Sequence, residues 1–252
     1  MTEVLLTALG VGGATIIGAI IGFIFKEISH KFSDIVLSFA AGVMLAAAIL
    51  GLILPAVEET GGLTGVLITT VCVFIGAICL NLMDKLVPHL HKLSGVEQEK
   101  HSDNAKVAKV LLFVFAIALH NFPEGIAAGV GFGTGNVNDA IMIAGGIALQ
   151  NIPEGMVIIA PMLALGMSKK RTFLYASITG IVEVLGTFIG YFAVSLASAI
   201  LPFALAFAGG TMLYVISDEM IPETHAHGSQ RGATYALLLG FCLMLAFDVL
   251  LV

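Results

Sequence analysis

The chain has 252 residues, 58% of them hydrophobic and only 11% charged, with a mean hydropathy of +1.05. Soluble domains carry about 25% charged residues, so this composition excludes an ordinary water-soluble enzyme or binding module. A net charge of −6, from 11 basic and 17 acidic residues, argues against nucleic acid as a partner.

Apolar runs of roughly 18 to 25 residues, the length that crosses a ~30 Å hydrocarbon core, recur along the whole sequence. In chain order they cover 4–25, 34–54, 63–84, 107–130, 140–165, 172–195, 202–221 and 233–252. Eight such spans leave no room for a soluble domain, so the expectation is an all-α membrane protein with one transmembrane domain over 1–252. No basic residue precedes the first run, unlike the leader of a cleaved signal peptide, so that span is expected to be retained. Residues 89–106, between spans three and four, are polar and poor in aromatics, which predicts a mobile loop. Cys72, Cys79 and Cys242 fall within spans and read as small packed hydrophobes.

Basic residues orient the chain. Lys26 and Lys31 lie in the first connection, and Lys85, Lys92, Lys100, Lys106 and Lys109 in or beside the third. Lys169, Lys170 and Arg171 lie in the fifth, and Arg231 in the seventh. All 11 therefore share one side, which the positive-inside rule makes cytoplasmic, leaving both termini extracytoplasmic.

One short repeat stands out. His-Asn-Phe-Pro-Glu-Gly at 120–125 matches Gln-Asn-Ile-Pro-Glu-Gly at 150–155, in neighbouring spans that run in opposite directions. Proline removes a helix hydrogen bond and clashes with the carbonyl four residues back. Spans four and five are thus expected to be broken at Pro123 and Pro153. Irregular backbone at membrane depth is tolerated only where it faces protein or a wet cavity.

Counting along the spans puts His120, Glu124, Glu154 and Glu183 at one level near mid-membrane. Each ionisable group there costs roughly 2.5–3.5 kcal/mol. Three carboxylates in low dielectric need protons or a cation between them, and a divalent ion meets that need directly. His120 and Asn121 stand four and three residues before Glu124, and Gln150 and Asn151 stand likewise before Glu154. Those spacings share a helix face. One imidazole, two or three carboxylates and amide oxygens, with no thiolate, suit Zn²⁺, Fe²⁺ and Mn²⁺ without choosing sharply among them. Met44, midway along span two, reads as core and also as a soft candidate ligand.

Towards the cytoplasm, Asp84, His89, His91, His101, Asp218, Glu219, His225 and His227 are either exit-path ligands or incidental interfacial groups.

At these residues the sequence resembles the ZIP (Zrt-, Irt-like protein) family of divalent metal transporters, and within it the GufA-like bacterial branch. The resemblance covers nearly the whole chain, and its most specific part is the HNFPEG and QNIPEG pair. It implies zinc uptake, with iron, manganese and cadmium as further cargo, across a bacterial inner membrane by a homodimer working through alternating access. It also implies a site for two ions. One position is similar to His120, Glu124, Gln150 and Glu154 with Met44, and the other to Asn121, Glu124, Asn151, Glu154 and Glu183. Some relatives place Asp where this chain has Asn151. In the implied motion, spans one, four, five and six slide against spans two, three, seven and eight.

No cofactor is expected beyond the transported ion. Two other readings compete with a carrier: an ion channel using the carboxylates as a cation filter, and an intramembrane metal-dependent hydrolase. The chain has no His-Glu-x-x-His motif for the latter.

Overall fold

The structure, a computed structural model, describes the backbone of residues 1–24, 29–93, 118, 120–134, 137–164 and 166–251. Among the described residues every long element is helical: α1 (Thr2–Ile24), α2 (His30–Ala46), α3 (Leu54–Thr60), α4 (Gly62–Leu93), α5 (120–130), α6 (Val137–Ala164), α7 (Lys169–Leu196), α8 (Leu201–Val215), α9 (Ile221–His225) and α10 (Gln230–Leu251). Among the described residues seven rods are long and apolar enough to span a bilayer, with α2–α3 joined over His30–Thr60 and α8–α9 over Leu201–His225. The expected fourth span is described at 118 and from 120 onward, where it is helical. The chain is therefore a multi-pass membrane protein.

Local chemistry sets several boundaries. The Ser29 hydroxyl accepts the Phe32 N–H at 3.3 Å to start α2, and Ser168 accepts that of Arg171 at 3.4 Å to start α7. Gly61 and Gly62, with φ of 71° and 56°, reverse the chain between α3 and α4, a backbone region that costs glycine nothing. Leu63, Phe74, Tyr235 and Leu239 lie exposed along α4 and α10, as side chains facing lipid tails do. Cys72 is buried, but Cys242 is on the outer face and does not pack as a core residue.

Glycines decide how the rods pair. Without a hydrophobic drive between helices in lipid, close backbone approach through small residues carries the packing. A methyl at Gly18 would stand 2.2 Å from the Ile152 carbonyl oxygen, and one at Gly155 2.2 Å from that of Thr15, so α1 and α6 lie backbone on backbone. Gly12 and Gly180 do the same for α1 and α7, and Gly125 and Gly186 for α5 and α7. Gly42 and Gly240 join α2 to α10, while Gly76 and Gly210 join α4 to α8. With Gly65 of α4 against the Val57 carbonyl of α3, these approaches gather the rods into two sets, α1 with α5–α7 and α2–α4 with α8–α10. Between the sets, Gly51 meets the Ile143 side chain and Gly146 the Met244 side chain.

Two expectations are corrected. The breaks at the Pro-Glu-Gly motifs do not appear: 120–130 and Val137–Ala164 are helical throughout. One missing hydrogen bond does not end a helix whose remaining bonds and backbone packing hold it. The helices widen elsewhere, into π-helical turns at Ala47–Ile53 and Ile216–Met220. There the Leu54 N–H reaches the Ile49 carbonyl and the Ile221 N–H that of Ile216, each just before a proline, Pro55 or Pro222. A wider turn carries the carbonyl away from the proline ring. The second correction is that α4 runs to Leu93, so the polar segment expected from His89 begins as helix. Its sequence up to Leu93 contains no glycine to stop it. The rest of that segment, with His101, lies outside the described residues.

Candidate metal site

A cavity of about 980 Å³ enters the protein between α2, α5, α6 and the α8–α9 region. His120, Glu124 and Glu154 line its inner end, Asp218 and Glu219 its wall, and His30, Asp34, Glu223 and His227 its outer part. It opens at the end that carries the first and seventh connections.

Consecutive turns of α5 and α6 bring the motif residues together. His120, Asn121, Glu124, Gln150 and Asn151 are all buried, and Glu154 is partly open to the cavity. Glu124 lies within electrostatic range of Glu154 and Glu183, and Gln150 is in hydrogen-bonding reach of Glu124. Glu124 Oε2 and Gln150 Oε1 have no hydrogen-bond partner despite complete burial. Such orphaned oxygens are costly unless something else meets them, and a cation does so with the correct sign.

His120 is held differently. Its Nε2 lies 2.8 Å from Glu219 Oε1, a carboxylate presented by the π-helical turn before Pro222. The widened turn in α8–α9 thus places an acid against a motif histidine of the other helix set.

Glu183, at the predicted depth on α7, is fully buried but does not line the cavity. Thr15 donates to its Oε2 at 3.2 Å, and the Asn151 amide donates to its Oε1. The same Asn151 nitrogen reaches the Val11 carbonyl at 3.1 Å, so α1, α6 and α7 are tied together at this level. An amide here gives hydrogen bonds where an Asp would add a charge.

The remaining predicted residues divide. Met44 sits in the main apolar cluster and does not line the cavity. Asp218 lines the wall and accepts from Tyr214 at 3.2 Å, and Tyr214 in turn accepts from Asn81 at 3.0 Å. His225 is not on the lining; its Nδ1 is 2.8 Å from the Ile221 carbonyl and its Nε2 3.3 Å from Thr234. Asp84, His89 and His91 belong to α4, with side chains outside the described ones. Motif spacing and depth do not pick out His30 and Asp34. The signal for them is an acid at the very start of an apolar run, with a histidine four residues before it. Glu223, which the sequence groups with His225 and His227, lines the cavity. Among the described residues no three His, Cys, Asp or Glu side chains already stand close enough to enclose an ion.

The architecture and this site define a class: a polytopic helical membrane protein with a polar cavity reaching buried carboxylates. A family model described as ZIP Zinc transporter matches residues 95–248. Over 250 residues the chain is 40% identical to the zinc transporter GufA of Myxococcus xanthus, covering 97% of each. It is 35% identical to the zinc transporter ZIPB of Bordetella bronchiseptica over 94% of this chain and 78% of that protein. It is also 35% identical to the zinc transporter ZupT of Chlorobaculum parvum, covering 95% and 94%. The chain belongs to the ZIP zinc transporter family, a family of metal transporters and not of enzymes.

Proposed function

We propose that the protein carries Zn²⁺ across the membrane into the cytoplasm, using His120, Glu124, Gln150 and Glu154 as its principal mid-membrane ligands. One observation carries this reading: a cavity from one membrane face ends at His120, Glu124 and Glu154, where a buried carboxylate oxygen lacks any partner. The cavity mouth lies at the end of the chain's basic connections, which supports a cytoplasmic opening and extracytoplasmic termini. Fe²⁺, Mn²⁺ and Cd²⁺ fit the same nitrogen and oxygen donors. The whole chain acts as one transporter domain, in this proposal as a homodimer in an inner membrane. Glu183, Asn121 and Asn151 supply a second ion position only if the hydrogen bonds on Glu183 give way, and Met44 joins only if α2 moves.

Alternating access is supported by the glycine contacts. The closest backbone approaches at glycines lie within each helix set, while Gly51 and Gly146 meet side chains of the other set.

Zinc uptake into proteoliposomes tests the function. Uptake that saturates, with no conductance on a bilayer, is expected; ion flux at channel rates would replace the carrier with a channel. Metal-dependent hydrolysis without uptake would point to the enzyme instead.

Glu219 competes with the ion for His120 in this reading. A close charged pair of this kind couples by about 1.5 kcal/mol or more, which is about tenfold in an equilibrium. Glu219→Ala is therefore expected to tighten zinc binding about tenfold while slowing turnover, measured by equilibrium binding and uptake on the same preparation.

A further inference from the structure

The outer part of the cavity contains a cluster that the transport site does not use. Asp34, on the second turn of α2, is only 3% exposed, although it carries a carboxylate at the edge of the membrane-spanning region. Its Oδ1 lies 3.0 Å from His227 Nδ1, contributed by the connection between α9 and α10. Its Oδ2 is buried without a hydrogen-bond partner. The His227 ring stacks on His30, with centroids 4.7 Å apart and planes inclined by 23°. His30 and Asp34 are four residues apart on one helix face, so one turn of α2 offers an imidazole and a carboxylate together. All three side chains line the cavity.

We propose that His30, Asp34 and His227 form a second binding site for a divalent transition-metal ion, at the mouth of the cavity. Two ligands of one tetrahedral zinc ion, each about 2.0–2.1 Å from it, stand roughly 3.3 Å apart. The Asp34–His227 pair is already close to that spacing, with a proton where the ion would sit. Metal binding releases that proton to solvent. Asp34 brings the negative charge, the two imidazoles bring borderline nitrogen donors, and water completes the shell because the mouth is open. Two nitrogens and a carboxylate suit Zn²⁺ and its neighbours and offer little to Ca²⁺ or Mg²⁺.

A hydrogen-bonded latch would explain the Asp34–His227 contact alone. It leaves unexplained a second buried carboxylate oxygen without a partner and a second imidazole laid against the first. An open outer shell suits a station that receives an ion from the deeper carboxylates and passes it to water. That role rests on the transport reading above; the binding itself does not.

The test is equilibrium dialysis of the full chain in detergent with radioactive Zn²⁺. The background carries Glu124→Ala and Glu154→Ala, and His89, His91 and His101 are replaced by alanine so that residual binding is not theirs. One zinc per chain is expected to remain bound. Asp34→Asn and His227→Ala are each expected to weaken it at least tenfold, and His30→Ala by several-fold. His227→Gln keeps a hydrogen bond to Asp34 but offers no imidazole, so it is expected to bind as poorly as His227→Ala. A background that binds no zinc, or variants that bind as the background does, would overturn the proposal. If the background fails to fold, His227→Ala in the otherwise native chain must lose one bound zinc relative to the native protein, and an unchanged stoichiometry overturns the proposal equally. Loss of uptake in Glu124→Ala bears on the transport reading and leaves this measurement unaffected.

Discussion

Zinc uptake is expected to fall by about 100-fold or more in Glu124→Ala and, separately, in Glu154→Ala. Even groups that merely hold a metal ligand in place change affinity by about 10–100-fold when removed, and these two carboxylates are proposed as ligands themselves. Glu124 is buried with Oε2 unmatched, and Glu154 faces the cavity within reach of His120 and Glu219. Removing either deletes a negative charge where the cation needs it most. The measurement is the initial rate of zinc uptake into proteoliposomes, normalised to folded protein. Folding should survive, since deleting a buried charge in an apolar setting relieves a cost. Uptake within threefold of the native rate in either variant would remove that residue from the ion's path.

The second large effect is structural. Gly155→Ala is expected to destabilise the protein by about 2–3 kcal/mol, the upper part of the overpacking range, and to lower its thermal midpoint in detergent by about 5 °C or more. The added methyl would stand 2.2 Å from the Thr15 carbonyl oxygen and 3.1 Å from the Ala19 nitrogen, both rigid helix backbone. To make room α1 must withdraw from α6, which also pulls Thr15 from Glu183 and Val11 from Asn151. Packing and the buried polar network therefore fail together. Gly145→Ala is the control on the same helix: a methyl there meets nothing within 4 Å, and replacing helical glycine gains about 0.5–1 kcal/mol. Equal melting temperatures for the two variants would show that α1 and α6 are not in the contact described.

Part of the site is legible in the amino-acid sequence. Motif spacing groups His120 and Glu124 with Gln150 and Glu154, and counting along the spans puts Glu183 at their level. Depth counting measures position along the membrane normal. It carries no information on how far each helix is turned about its own axis, and that rotation separates Glu183 from the cavity while His120, Glu124 and Glu154 face it. The same gap explains Met44, which has the right depth but sits in the apolar cluster. His30 and Asp34 escape a reading by spacing because their partner, His227, lies 193 residues from Asp34 and meets it only when α2 and the α9–α10 connection come together. The proline rule errs in the opposite direction. It predicts disruption at Pro123 and Pro153, whereas the helices widen before Pro55 and Pro222.

By itself, then, the sequence determined the medium and the helical class, and it grouped the residues proposed as ligands. Each of these follows from composition or from residues close in sequence, where apolar length and hydrogen-bond geometry act locally. The tertiary structure alone decided which carboxylates face the cavity, that Glu219 stands against His120, and which glycines lie against another helix's backbone. Those outcomes depend on the rotation and mutual approach of helices far apart in the chain. That is why Gly145 and Gly155 look alike in the sequence and differ in the fold: only Gly155 has another helix's backbone against it.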